Sequence, residues 1–102
     1  MQLTPRETER LLLFTAAELA RRRRREGVAL SHPDVVALAC DVALERARAG
    51  GGYDDVRASV NGLVRRDELA QGVAELLEGP HQVEVTFGDG TRLVALERLV
   101  AP

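Results

Sequence analysis

The apolar positions between Leu3 and Arg25 recur with a helical period. At about 100° per residue, five of them fall on one broad stripe that is expected to face the core: Leu12, Leu13, Ala16, Leu19 and Ala20. Leu11 and Phe14 project to the other side, among polar residues. Such a helix needs cover on two sides, either from later helices of the same domain or from another chain, and the pattern leaves both possibilities open.

The first helix has a full set of start and stop signals. Thr4 is a good N-cap, Pro5 occupies a position where a missing N–H costs nothing, and Glu7 completes a capping box. Gly27 follows the last helical positions and is typical of a helix end. These signals predict a helix over residues 5–26.

A second helix is predicted over residues 32–49. Ser31 and Asp34 form a box-like cap at its start, with a proline between them. Apolar residues then recur at helical spacing until three glycines at 50–52 end the segment.

Two weaker helical segments follow, over residues 53–64 and 67–77. Gly62 lowers the helix propensity near the end of the first, and Gly79 and Pro80 stop the second. Together with the two stronger segments, they predict four helices ahead of a change in period.

The last part of the chain alternates apolar and polar residues, which is typical of a strand with one apolar face. The Asp-Gly pair at 89–90 is a strong signal for a two-residue turn, so a hairpin is predicted over residues 82–97, with Val94 opposite Val85. Two strands alone are marginal in water, so the hairpin must pack on the helices or extend a sheet from another chain. The expected fold is α+β, with a four-helix, orthogonal bundle-like array followed by an antiparallel β-hairpin in a single domain, 1–102.

Composition narrows the class of protein. A chain of 102 residues is expected to form one domain with a modest core. The one cysteine, Cys40, permits neither an internal disulfide nor a cysteine zinc cluster, and is expected to be a small buried side chain. No apolar run approaches the roughly 20 residues of a membrane span and no signal-peptide pattern opens the sequence, so a cytoplasmic protein without membrane partners is expected.

A run of five arginines at Arg21–Arg25 raises the question of nucleic-acid binding. The run occupies the last turns of the first helix, where cations complement the negative end of the helix dipole. Consecutive helical positions point all the way round the axis rather than at one ligand, and the formal net charge of the chain is −2. A solvated helix end, open to pairing with carboxylates of a partner, is therefore favoured, and no nucleic-acid partner is expected.

The sequence offers no catalytic constellation. Its two histidines, His32 and His81, are far apart in the chain, and neither has a metal-ligand partner at helical spacing. Cys40 lacks the cationic setting that would make it a thiolate, and no glycine-rich phosphate loop follows a strand. No catalytic, cofactor-binding or metal-ligating residue is therefore predicted in this chain, and binding or scaffolding functions are favoured.

Several short motifs follow one another in a characteristic order: LTPRE, LLLFTAAELA with a basic tail, a helix opening at HP, a glycine-rich break, GVAEL and QVEVTFGDGTRLV. In this order they resemble the urease gamma subunit family, most specifically over residues 3–20 and 82–94. The resemblance implies a non-catalytic structural subunit without a cofactor of its own, which packs with beta and alpha subunits into a trimer of heterotrimers. In such a complex the alpha subunit holds two nickel ions on a carbamylated lysine and hydrolyses urea to ammonia and carbamate.

The middle and the end of the chain depart from the family pattern. The family's GARDG and MEGVPEM segments are replaced at 46–50 and 70–76, Gly88 stands where a proline is usual, and the tail at 96–100 lacks the family's VHxPI pattern. These segments are candidate contact surfaces with sister subunits. A divergent paralogue that acts as an interaction or regulatory module without urease activity therefore stays the alternative.

Four residues make up the candidate subunit interface. Leu11 and Phe14 supply the apolar surface that the core stripe leaves uncovered, and Arg22 lies on the same side of the first helix. His32 is added at the start of the second helix.

Overall fold

The computed structural model describes residues 1–102 as helices followed by a two-stranded antiparallel sheet. In chain order the elements are α1 (Pro5–Arg25), α2 (His32–Arg48), α3 (Tyr53–Ser59), a 3₁₀ helix (Arg66–Glu68), α4 (Val73–Leu76), β1 (Gln82–Phe87) and β2 (Gly90–Ala95). The predicted α+β class, with four helices ahead of a C-terminal hairpin, is confirmed. None of the helices combines the length and the apolar character that a membrane crossing requires.

The two long helices begin at their predicted caps. The Thr4 hydroxyl accepts from the Glu7 N–H at 3.1 Å, and the Glu7 carboxylate accepts from the Thr4 N–H at 2.9 Å. Ser31 and Asp34 form the same reciprocal pair at the start of α2, at 3.3 and 3.0 Å. Each box satisfies two backbone donors that a helix start otherwise leaves unpaired, so the direction of the chain is fixed locally at both points.

The third helix is shorter than the predicted segment 53–64, because it ends at Ser59. Gly62 adopts a φ of +67°, in the left-handed region that interrupts a right-handed helix. Its N–H donates to the carbonyl of Arg98 at 2.7 Å, so the backbone here pairs with the C-terminal segment instead of continuing the helix.

The predicted helix over 67–77 is in fact two short elements, the 3₁₀ helix and α4, separated by extended chain. Leu30 accounts for the break. The Leu30 N–H donates to the backbone carbonyl of Glu68 at 2.8 Å, and the Leu30 carbonyl accepts from the N–H of Ala70 at 2.9 Å. These two hydrogen bonds hold Leu69 in an extended conformation. Gly72, at φ +83°, then turns the chain into α4.

The register of the hairpin differs from the predicted one. Val83 lies opposite Val94, and Val85 lies opposite Arg92 rather than Val94. The reason is the turn: Gly90, at φ +132°, already pairs with Phe87, so the loop residues are 88–89 instead of 89–90. When the two-residue loop begins one position earlier, each residue of β1 pairs with a β2 residue two positions earlier than predicted. Because side chains alternate between the two faces of a strand, each side chain stays on its predicted face.

The hydrophobic core surrounds α2, which contacts α1, α3 and β1. Residues from α2, α3, α4, both strands and the connecting segments contribute to it, among them Leu30, Val35, Leu38, Ala39, Ala43, Val56, Val60, Val64, Val73, Leu77, Val85 and Val94. The segment after β2 adds Leu96 and Leu99, which are almost fully buried. This part of the divergent tail therefore packs inside its own chain, contrary to the expectation that it forms a contact surface.

Candidate functional site

The exposed side of α1 carries the largest uncovered apolar surface of the helices. We use the name α1 outer face for Leu11, Leu12, Phe14 and Leu19, which are 47%, 65%, 45% and 45% exposed. Leu11 and Phe14 are three residues apart and adjacent on the helix surface, and Leu19 lies two turns beyond Leu12 on the same side. Four large apolar side chains exposed on one side of a helix, unlike a single exposed leucine, indicate a binding surface.

The core-facing side of α1 is not the predicted stripe. Ala17 and Ala20 are fully buried, and Leu13 is partly buried against the core. Leu12, Ala16 and Leu19 were expected in the core and are exposed, so that expectation is wrong. The small side chains of the two alanines let α1 approach α2 closely, and arginines fill the rest of this side of the helix.

Those arginines explain the orientation of α1. Arg10 and Arg21 each reach the carboxylate of Asp41 on α2, at 2.9 and 2.5 Å, and Asp41 is a buried side chain. Arg24 donates from Nε to Glu68 at 2.6 Å and from Nη2 to the carbonyl of Leu63 at 3.0 Å. Because buried carboxylates need partners, these contacts turn the arginines inward and leave apolar side chains outside.

The arginine run at Arg21–Arg25 is therefore mostly a set of internal ion pairs. Arg21 pairs with Asp41, Arg23 with Asp34 at 2.7 Å, and Arg24 with Glu68. The expectation of a solvated helix end is wrong for these three positions. Arg22 and Arg25 do lie in solvent, and of these Arg22 contacts Glu26 at 3.3 Å.

Hydrogen bonds from two arginines also shift the pKa of Glu68. Burial alone would raise the pKa of Glu68, but hydrogen bonds from the Arg24 guanidinium and the Arg65 N–H outweigh it and hold that pKa below its usual value. The carboxylate of Glu68 is thus held in its charged form.

The four candidate interface residues do not form one cluster with shared contacts. Leu11 and Phe14 are part of the α1 outer face, and Arg22 lies three turns beyond Leu11 on the same side of the helix. His32 is half-buried at the start of α2, and its imidazole contacts His81. Whether these residues meet another chain stays a prediction.

The two histidines are the contact that sequence reasoning missed. Nε2 of His32 lies 2.8 Å from Nε2 of His81, although the residues are 49 positions apart. Nδ1 of His81 lies 2.8 Å from the carbonyl oxygen of Gly79. No local spacing signals such a pair, because it depends on how the loop before β1 returns to the start of α2.

No group in the chain has the setting of a catalytic centre. There is no cluster of three or more histidine, cysteine, aspartate or glutamate side chains that could hold a metal ion. Cys40 is buried, and burial raises the pKa of its thiol, which disfavours the reactive thiolate.

Comparison with known proteins agrees with the motifs and the fold. The family model described as urease, gamma subunit, matches residues 1–100. The chain belongs to the urease gamma subunit family. It is 49% identical over 96 residues to the urease subunit gamma of Natronomonas pharaonis, an alignment that covers 94% of this chain and 87% of the relative. It is 48% identical over 96 residues to the urease subunit gamma of Streptomyces coelicolor, covering 94% and 95% of the two chains.

Membership of the urease gamma subunit family covers nearly the whole chain, including the segments that depart from the family motifs. The resemblance found in residues 3–20 and 82–94 is confirmed, and the intervening helices belong to the same match.

Proposed function

We propose that this chain is a non-catalytic structural subunit of a urease, supporting a nickel-containing alpha subunit that hydrolyses urea to ammonia and carbamate. The observation that carries the proposal is the α1 outer face. A helix that is capped at its start and packed along α2 still exposes four large apolar side chains on its opposite side. Sister subunits of the same complex are the partners that family membership favours for this surface.

The energetics support a protein partner for the α1 outer face. Full burial of a leucine or phenylalanine contributes about 1.5–3 kcal/mol, so covering the exposed half of each side chain contributes about 1 kcal/mol. Four such side chains contribute a useful fraction of the binding free energy of a stable interface. The ordering of side chains and the desolvation of polar groups offset part of that contribution.

The surroundings of the patch also have the character of an interface. Charged side chains lie beyond it along the helix, with Arg22 toward one end of α1 and Glu7 toward the other. An apolar centre with a charged, solvated border is the usual anatomy of a protein–protein contact. A nucleic-acid ligand would require a cluster of free cations instead, and most of the arginine run is neutralised internally.

The metal-ligand side chains of this chain bear on which subunit carries out the reaction. Hydrolysis of urea on nickel requires several ligands around the ions, and this chain has no such cluster. We therefore assign the nickel ions and the reaction to the alpha subunit, and assembly with beta and alpha subunits, as a trimer of heterotrimers, to this chain.

Co-expression tests the proposal. The chain should be produced with urease beta and alpha subunits from its own source and with nickel-delivery proteins, then purified through a tag on the alpha subunit. We expect the three chains to elute together in equal amounts and the complex to release ammonia from urea, whereas the isolated chain releases none. A fully active complex that forms without this chain would overturn the structural role and favour the alternative of an interaction module without urease activity.

A further inference from the structure

We propose that the free edge of β1 receives an extended segment of a sister urease subunit, which adds to the hairpin as a third strand. This strand addition rests on the proposed role as a urease subunit and uses a surface separate from the α1 outer face. The segment occupies a cleft of about 670 Å³ between α1, α2 and β1, which we call the β1 groove. The residues that line it include Arg10, Leu13, Leu44, Ala47, Glu84 and Thr86.

The backbone of β1 carries unpaired hydrogen-bonding groups along this groove. In an antiparallel pair, residues alternate between positions that exchange hydrogen bonds with the partner strand and positions whose N–H and C=O groups point away from it. The carbonyl of His81 accepts from the N–H of Leu96 at 2.9 Å, so the odd-numbered positions of β1 are the bonded ones. The N–H and C=O groups of Glu84 and Thr86 therefore point outward, and none of them has a hydrogen-bond partner in the chain.

These unpaired groups point to an extended backbone as the occupant. Glu84 and Thr86 are two positions apart, which is the repeat at which an extended chain presents its own N–H and C=O groups. An added strand can therefore pair with both residues at once, and main-chain hydrogen bonds of this kind supply the affinity in strand addition.

The edge of β1 also lacks the features that usually protect an exposed strand. It contains no proline, and its pairing with β2 continues without a bulge from Gln82 to Phe87. A sheet of two strands is marginal in water, so a third strand would extend the smallest layer of this fold.

The helices flank this edge without closing it. α1 packs along α2 but makes little contact with β1. An ion pair between Arg6 and Glu84, at 3.1 Å, crosses from α1 to β1, and the two side chains are 78% and 56% exposed. Because exposed ion pairs contribute little to stability, an incoming segment can displace this one at small cost.

The floor and the size of the groove restrict what can enter it. Leu13, Leu44 and Ala47 are partly buried against the core and line the cleft from the two helices. An added strand places every second side chain over this apolar floor and the others in solvent. The volume lies in the range of clefts that enclose a small ligand, so a few residues of one extended segment fit. A second copy of the hairpin, paired through its own β1, does not.

The charges around the groove favour a segment without net charge. Three arginines and four glutamates line the cleft, so charges of opposite sign nearly balance. Two of the arginines are already paired, Arg6 with Glu84 and Arg10 with both Asp41 and Glu45. Selection therefore rests on backbone pairing and apolar contact, and the expected segment alternates apolar and uncharged polar residues and contains no proline.

Hydrogen exchange tests the added strand at the backbone itself. Exchange is compared between the isolated chain and its complex with the beta and alpha subunits, then quenched at low pH and read residue by residue by fragmentation mass spectrometry. We expect the N–H groups of Glu84 and Thr86 to exchange at least about a hundredfold more slowly in the complex, because they gain hydrogen-bond partners. The N–H of Val85 is the internal reference, since its bond to β2 protects it in both states.

A pair of proline variants separates strand addition from simple burial. Thr86→Pro removes an outward N–H and no hydrogen bond of the hairpin, at an edge position where proline is tolerated. It should weaken binding to the beta and alpha subunits about tenfold, because a carbonyl of the added segment loses its donor. Leu93→Pro is the matched control, since Leu93 lies opposite Glu84 and its N–H points to the other edge of the hairpin. It should bind like the unaltered chain, and circular dichroism verifies the fold of both variants.

The outcomes distinguish this strand addition from the proposed function. A complex that assembles while Glu84 and Thr86 exchange as fast as in the isolated chain overturns the added strand and leaves the urease role intact. Equal affinities of Thr86→Pro and Leu93→Pro overturn it as well, because slow exchange would then come from burial alone. If no complex assembles, the proposed function fails, and the added strand fails with it.

Discussion

Nη2 of Arg21 on α1 lies 2.5 Å from Oδ2 of Asp41 on α2, a carboxylate whose side chain is only 3% exposed. Arg10 approaches the other oxygen of the same carboxylate at 2.9 Å. Nη1 of Arg10 and Oδ1 of Asp41 are buried without a well-aligned hydrogen bond. The two arginines therefore depend on Asp41 as their charge partner on the inner side of α1, and this carboxylate links the two long helices.

Asp41→Ala is expected to destabilise the chain strongly. The substitution leaves two partly buried guanidinium groups without a buried partner, which should lower the free energy of unfolding by about 2–4 kcal/mol. Urea unfolding followed by circular dichroism measures the change. Glu18→Ala removes the exposed partner of Arg21 and should cost less than about 1 kcal/mol. Equal losses for the two variants would show that Asp41 has no special role.

The ends of the long helices and the presence of a hairpin could be predicted because their causes are local. Thr4 and Glu7, or Ser31 and Asp34, cap a helix through atoms within three residues, so the sequence itself carries the signal. The orientation of α1 could not be predicted in this way. It depends on Asp41 and Glu68, whose positions relative to α1 are known only once the chain has folded.

The same reasoning applies to the candidate site. Leu11 and Phe14 were recognised as uncovered because they lie off the apolar stripe, but Leu12 was assigned to the core because it lies on that stripe, and it is exposed. The hairpin register and the pair formed by His32 and His81 also depend on loops, where a shift of one residue changes the partner. Local patterns predict elements well and long-range polar contacts poorly.

Leu12→Glu is expected to leave the fold intact and to weaken assembly. Leu12 is 65% exposed, so a carboxylate there stays hydrated in the isolated chain, and the free energy of unfolding should change by less than about 1 kcal/mol. In an apolar interface the same carboxylate must be desolvated, which should weaken association with co-expressed urease subunits at least about tenfold. Analytical ultracentrifugation and thermal melting measure the two effects.

Ala17→Glu is the matched control for that experiment, since Ala17 lies on the opposite side of α1 and is fully buried. It should destabilise the isolated chain by about 3 kcal/mol or more, because a charge is forced into the contact with α2. If Leu12→Glu instead melts as early as Ala17→Glu, the α1 outer face is core in solution. If it assembles like the unaltered chain, that face is not an interface.

Neighbouring arginines should differ sharply in their effect on stability. Arg23→Ala removes the partner of Asp34, a buried carboxylate, and should lower the free energy of unfolding by about 1–3 kcal/mol. Arg25→Ala removes an exposed side chain that has no ion pair, and it should change the free energy of unfolding by no more than about 0.5 kcal/mol. Chemical denaturation of both variants measures the difference. Similar values for the two would contradict the internal pairing of the run.

The same pairing predicts weak nucleic-acid binding. With Arg21, Arg23 and Arg24 neutralised by carboxylates of their own chain, too few free cations remain to release many counterions from a duplex. Gel shifts with random duplex DNA and RNA at about 0.15 M salt should give a dissociation constant no tighter than about 10⁻⁴ M. A micromolar constant that is lost on substituting Arg22 and Arg25 by alanine would refute this expectation.

Glu68 should make the stability of the chain depend on pH. Burial opposes its charge, but hydrogen bonds from Arg24 and Arg65 lower its folded-state pKa below the usual value of 4.5. A lowered folded pKa means that the stabilisation is present in full above the unfolded value and is lost as the pH falls through the folded one. Relative to Glu68→Gln, the unaltered chain should be more stable by about 1–3 kcal/mol at neutral pH, and this difference should shrink progressively below pH 4.5.

Urea unfolding of both chains at about pH 7, 5 and 3 measures this difference directly. Glu78→Gln is the control, because Glu78 is exposed and has no ion pair, so its difference from the unaltered chain should stay near zero at every pH. A constant gap between Glu68→Gln and the unaltered chain down to about pH 3 would mean that the carboxylate contributes by packing rather than by charge. A gap that disappears on acidification is the result expected if the charge of Glu68, through its hydrogen bonds from Arg24 and Arg65, holds the 3₁₀ helix against α1.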